Sequence, residues 1–99
     1  MQFNRALRAD VISGEITVSF RLWRTPKVRV GGRYPVGPAW IEVDSLELVP
    51  FGTITRADVR RSGEDDLEAL RRRAAHSGPI ADETLVYRVA FHLLDGEPG

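Results

Sequence analysis

The sequence predicts a small α+β domain, a mixed or antiparallel β-barrel with an N-terminal helix and a helical pair packed on one side. Three observations predict it. The elements run helix, strand, irregular arm, strands, helix pair and strand, which is not the strand–helix alternation of a parallel doubly wound sheet. The longest strand candidate, Trp40 to Val49, changes apolar parity midway, from Ile41 and Val43 to Leu46 and Leu48, so a bulge is expected near Ser45. Bulged, strongly coiled strands are what a small barrel requires. The last segment, Glu83 to Leu94, sets Leu85, Tyr87, Val89, Phe91 and Leu93 at alternate positions and reads as a central strand.

The remaining elements follow from local chemistry. Phe3, Leu7, Val11 and Ile12 recur at helical spacing, and Gly14 is placed to end that helix in a left-handed cap. From Ile16 to Trp23 the chain alternates: Ile16, Val18, Phe20 and Leu22 form an apolar face, and Thr17, Ser19, Arg21 and Trp23 the other. The stretch from Arg24 to Pro38 holds three prolines and three glycines, an irregular arm followed by a short edge strand around Tyr34 to Val36. Thr55 is an N-cap for a helix over Arg56 to Arg61, with Asp58 at its third position and Ser62-Gly63 ending it. A second helix is expected from the acids Glu64-Asp65-Asp66 to the bases Arg71-Arg72-Arg73, charges that complement the two ends of the helix dipole. The arginine triplet is thereby a helix terminus before it is a nucleic-acid patch. His76 to Pro79 reads as a loop and Gly96 to Gly99 as a frayed tail.

Ninety-nine residues make one domain, 1–99, and such a chain buries roughly 60 to 68% of its unfolded surface. The absence of cysteine excludes a disulfide framework, an ordinary zinc finger and a thiol nucleophile. No apolar run approaches the roughly 20 residues that span a bilayer, and the start has no signal-peptide core, so no membrane contact and a cytoplasmic location are expected. Fourteen basic and fourteen acidic residues balance, which argues against bulk electrostatic gripping of nucleic acid. The balance conceals segregation: between Glu15 and Glu42 there is no acid, while Arg21, Arg24, Lys27, Arg29 and Arg33 lie there.

Two of the polar-face residues carry alternative readings. Arg21 either grips a phosphate or base edge, with Thr17 and Ser19 adding hydrogen bonds, or pairs with an acid in Glu42 to Glu47. Trp23 either stacks an unpaired base or packs under the arm. Arg24, Lys27, Arg29 and Arg33 can follow a phosphate backbone, with affinity falling steeply in salt. No metal site and no cofactor are expected: His76 and His92 lie in different elements without helical pair spacing, and Gly31-Gly32 lacks the lysine and hydroxyl of a phosphate loop.

Gly14-Glu15-Ile16-Thr17-Val18-Ser19-Phe20-Arg21 resembles the signature of the ASCH domains (activating signal cointegrator homology): glycine, any residue, lysine, threonine, an apolar residue, threonine or serine, an apolar residue, arginine. Gly32-Arg33-Tyr34 resembles the family's second-strand turn, Ile54 to Gly63 its helix entry, and Tyr87 to Phe91 its last strand. The resemblance implies a PUA-like β-barrel with a cleft beside the signature strand that binds RNA or a nucleotide-like ligand. Some bacterial members are amidohydrolases of acetylcytidine, and others have been proposed to cleave single-stranded RNA. In the amidohydrolases the signature lysine and the hydroxyl three positions later form the reactive pair, supported by a helical-region glutamate.

The match departs at those positions. Ile16 stands in place of the lysine, Ser19 in place of the threonine, and the glutamate's position falls at Ser62, with Glu64 two residues beyond. A hydroxyl nucleophile needs a base that isoleucine cannot supply, which leaves Ser19 as the one weak catalytic candidate. The expectation is therefore a non-catalytic domain that binds single-stranded RNA or a nucleoside-like ligand through Thr17, Ser19, Arg21, Trp23, Arg24, Lys27, Arg29 and Arg33. A small hydrolase using Ser19 and a protein-interaction module with a vestigial cleft stand as alternatives. Ile16 decides between them by where it points.

Overall fold

A computed structural model describes residue 3 and residues 5–75 and 78–95; His76 and the tail 96–99 lie outside them. Four strands, β1 (Val18–Arg21), β2 (Arg33–Val36), β3 (Ala39–Pro50) and β4 (Leu85–Leu93), form one antiparallel sheet in the order β1-β4-β3-β2. Among the described residues three α-helices, α1 (Arg5–Ser13), α2 (Arg56–Arg61) and α3 (Leu67–Ala74), and a short 3-10 helix over Phe51–Thr53 accompany the sheet. The small α+β architecture is the expected one, and β4 is central as its alternation predicted. The expected closure does not occur, since among the described residues β1 and β2 are edges and the sheet stays open. Two short edge strands of four residues each leave too little ladder to bring the ends together.

The bulge falls where the parity change required it. The β3–β4 register shifts between Val43 and Ser45, so that Val43 lies opposite Phe91 and Leu46 opposite Val89, on the same face. That face and its opposite are both covered. Val89 and Phe91 join Phe3, Val11, Ile16, Val28, Val36, Ile41 and Val43 under α1 and the arm. Val18, Phe20 and Val86 join Phe51, Val59, Leu70, Ala74 and Ile80 under α2 and α3. The helical pair thus takes one face and α1 the other. Double coverage also corrects the simple alternation of β4, because Val86 is fully buried while Leu85 is exposed.

Ion pairs fasten the helices to the sheet. Thr55 caps α2 by accepting from the Asp58 N–H, and the Asp58 carboxylate accepts from Arg88 Nε at 2.8 Å and Nη2 at 3.1 Å. Helix α3 begins later than its charge pattern predicts, at Leu67 with Asp66 as N-cap, so Glu64 and Asp65 precede the helix. Arg71 donates to the Ile80 carbonyl and to Asp82 and stacks over Phe51, so this member of the arginine triplet has a structural role. Gly63, which ends α2, has φ +87°, and a Cβ there would lie 2.6 Å from Ile16 Cδ1. Gly63→Ala should therefore destabilise the fold by about 1 to 2 kcal/mol, read from the urea midpoint, by combining left-handed strain with crowding.

Candidate functional site

The strand that carries the candidate residues is shorter than its alternation predicts. Gly14 turns the chain at φ +86°, and the Glu15 and Ile16 N–H groups both donate to the Asp10 carbonyl, so residues 14–16 are still leaving α1 when the signature begins. A first bond from the Phe91 N–H reaches the Thr17 carbonyl, and the register with β4 starts at Val18 opposite Ala90. Ile16 consequently escapes the strand's alternation. It is 2% exposed and packs with Phe3 and Val11 on the α1 face, the face of Ser19, while Val18 and Phe20 turn to the helical pair.

Ser19 and Arg21 come together, but against one another. Arg21 Nε donates to Ser19 Oγ at 2.7 Å, and its guanidinium lies 5.0 Å from the centre of the Phe3 ring. Ser19 is 8% exposed, and burial pulls the Arg21 pKa below its ordinary value. A hydroxyl that is buried and accepts from a guanidinium is poorly placed to attack a substrate. Nor does Arg21 reach the acids of β3, because β4 lies between and the register sets Arg21 opposite Tyr87. Thr17 is half-buried, with its backbone bonded to Arg61 and Phe91.

Trp23 continues the same face beyond β1. Its ring stands 6.0 Å from that of Tyr87, tilted by 40°, and both rings are half-buried. The arm then leaves Trp23, sends Val28 into the core, and is tied by the Arg29 N–H donating to the Tyr34 hydroxyl. Arg24, Lys27 and Arg29 are exposed and have no ion-pair partner among the described residues. Arg33 differs, since its Nε donates to Glu42 Oε1 at 3.0 Å across the β2–β3 pair. Trp23 and Tyr87 thus form an aromatic pair on the α1 face, and the exposed cations Arg24, Lys27 and Arg29 follow Trp23 along the chain.

A separate cavity of about 270 Å³ opens where the signature turn meets the helices, lined by Asp10, Glu15, Ile16, Arg60, Gly63, Glu64 and Asp65. Four carboxylates against one guanidinium make it acidic, which disfavours a phosphate there. Glu64 is 9% exposed and pairs with Arg73 of α3. Of the four acids that line the cavity with Ile16, Glu64 is the buried one; Ser62, to which the resemblance pointed, is buried with its hydroxyl donating to the Val59 carbonyl at 2.6 Å. The sequence hid this role because the acid run read as a helix start, and only the late start of α3 frees Glu64 to turn inward. With Ile16 as wall and Arg73 as the charge partner of Glu64, the cavity has a carboxylate but not the lysine of the family's reactive pair.

Elsewhere, His92 lies opposite Glu42 on the helical-pair face and its Nδ1 is 2.7 Å from Asp44 Oδ1, a cluster that chain separation concealed. No helix among the described residues is long and apolar enough to cross a membrane.

Two solved structures share this architecture. The crystal structure of an ASCH domain from Lactobacillus crispatus JV V101 matches with a TM-score of 0.70 over 89% of this chain and 70% of its own, at 18% identity. The fold is that of an ASCH domain. A DUF984 protein from Enterococcus faecalis V583 matches with a TM-score of 0.69 over 95% of this chain and 73% of its own, at 16% identity. At such identities the likeness is one of fold, an ASCH-like α+β fold with an open sheet in place of the barrel that the signature implied. No family model and no curated protein matches the sequence.

Proposed function

We propose that this ASCH-like domain binds single-stranded RNA on the α1 face, with bases stacked on Trp23 and Tyr87 and phosphates following Arg24, Lys27 and Arg29. The observation that carries the reading is the half-exposed Trp23–Tyr87 pair, followed along the chain by three exposed cations without ion-pair partners among the described residues. Aromatic faces accept any unpaired base, and a mobile cation beside them neutralises the backbone without reading sequence. Arg21 supports the platform from behind, fixed by Ser19 and Phe3. Thr17 and Ser19 act through backbone order and through Arg21 rather than by touching ligand. Arg33, bonded to Glu42 on the opposite face of the sheet, stays outside this surface. The function is binding without catalysis: the cavity at Ile16 lacks the lysine, and Ser19 is enclosed.

Fluorescence anisotropy with a labelled single-stranded RNA tests the proposal. Trp23→Ala should lower affinity by about 1 to 3 kcal/mol, roughly 5- to 150-fold. The combined Arg24→Ala, Lys27→Ala, Arg29→Ala variant should flatten the slope of log affinity against log salt by about 2, since each phosphate contact contributes roughly 0.7 on a single strand. Native-like affinity and salt slope in both variants would overturn the assignment. A free nucleoside that competes as well as the strand would narrow the ligand to the stacking platform alone.

A further inference from the structure

The cluster on the opposite face of the sheet carries a different chemistry. Glu42 and Asp44 sit on β3 on either side of Val43, and His92 stands directly across from Glu42 on β4. Their ligating atoms all lie within 4.8 Å of one another. An ionised carboxylate only accepts hydrogen bonds, so the 2.7 Å contact between His92 Nδ1 and Asp44 Oδ1 places the proton on Nδ1. In the neutral imidazole the lone pair is then on Nε2. That nitrogen faces Glu42 Oε2 at 3.9 Å, while Arg33 holds the other oxygen of the same carboxylate at 3.0 Å.

Two electron-pair donors at this separation repel unless a proton or a metal cation lies between them. Their separation is close to that of two ligands on one metal ion, because bonds of about 2.0 to 2.1 Å at a tetrahedral angle put ligand atoms about 3.4 Å apart. Rotation of two partly exposed side chains by about half an ångström closes the difference, with bond lengths of that size. The carboxylate–imidazole hydrogen bond has the form of the outer-shell contact that fixes the tautomer of a metal-bound histidine and raises its basicity. All three residues stand on paired strands, which hold a site more firmly than loops do.

We propose that His92 Nε2 and Glu42 Oε2 bind a divalent transition-metal ion of the zinc class, with Asp44 as the positioning residue that orients His92. The nitrogen donor selects against magnesium and calcium, which prefer oxygen alone. Two protein ligands leave the remaining positions open to water or to an oxygen of a bound molecule, and they make the site weaker than a closed structural zinc centre. The exposure of the cluster gives the ion direct entry. This site is independent of RNA binding, since it lies on the other face of the sheet from Trp23 and Tyr87.

The test is calorimetric titration of the full chain with zinc chloride after chelator treatment, together with proton–nitrogen correlation spectra of the histidine rings. Zinc should shift the His92 Nε2 resonance and leave Nδ1 protonated. His92→Ala and Glu42→Gln should each lower affinity at least tenfold, and Asp44→Ala should lower it about 10- to 100-fold while leaving Nε2 as the ligating atom. Magnesium should give the same weak response in the native chain and in His92→Ala. Melting curves in chelator verify that each variant folds, since all three positions are partly exposed. Zinc affinity in His92→Ala equal to native, or a shift confined to His76, overturns the proposal.

Discussion

Asp58→Asn should lower the stability of the domain by about 2 to 3 kcal/mol, because it breaks the paired charge that fastens α2 to the sheet. The Asp58 carboxylate accepts two hydrogen bonds from the Arg88 guanidinium, with both side chains mostly shielded from water. Exposed ion pairs contribute little, but here removal of one partner leaves Arg88 in a half-buried position on the central strand. Glu47, 3.9 Å from Arg88, relieves only part of that loss. The Thr55 cap survives the change, since it uses the backbone N–H of residue 58. Chemical denaturation of the two proteins measures the difference.

The same pair gives a pH signature with a fixed sign. The hydrogen bond from Arg88 holds the Asp58 pKa below its ordinary value, and correspondingly Asp58 raises that of Arg88. A carboxylate whose folded pKa is depressed contributes stability that is complete above its unfolded value, about 3.9. That contribution disappears as the pH falls through the lower folded value. The gap between native protein and Asp58→Asn should therefore hold constant from pH 7 to about pH 5 and narrow below about pH 4. A gap that keeps its size to pH 2 would show that shape, not charge, holds α2.

Local chemistry made much of this fold legible. A β-bulge is the only simple repair for a strand whose apolar parity changes, and the Thr55–Asp58 spacing names its own cap, so both could be placed from sequence. That Trp23 is followed by a run of exposed cations in the arm was legible for the same reason, since these residues are neighbours along the chain. What stayed hidden depends on pairings or turns with no local code. The direction of Ile16 depends on Asp10 capturing two backbone N–H groups, which delays the strand by two residues. The metal-ligating cluster joins residues 48 apart, through a strand pairing that neither segment announces. Glu64 was misread because an acid beside two others before an apolar run has a sufficient local explanation, and only its burial shows that it is used otherwise.

Ile16→Lys restores the signature residue and should not restore its chemistry. The substitution replaces a side chain 2% exposed in a packed cluster, so the lost burial and the desolvated ammonium together should destabilise the domain by about 2 to 4 kcal/mol. The variant should still fold. The cavity beside residue 16 lets a lysine stem lie along its apolar wall and carry the ammonium to Glu64, where four carboxylates offset the charge. What the ammonium does not gain is a reacting partner, since Ser19 is buried with its Oγ bonded to Arg21, and Phe3 lies against that guanidinium. Incubated with acetylcytidine, Ile16→Lys should release no acetate above the native chain. Combined with Arg21→Ala it separates two causes: activity in the double variant alone would show that Arg21 occupies the hydroxyl, and activity in Ile16→Lys itself would show that the Ser19 side of the sheet opens to substrate and that the binding-only assignment is wrong.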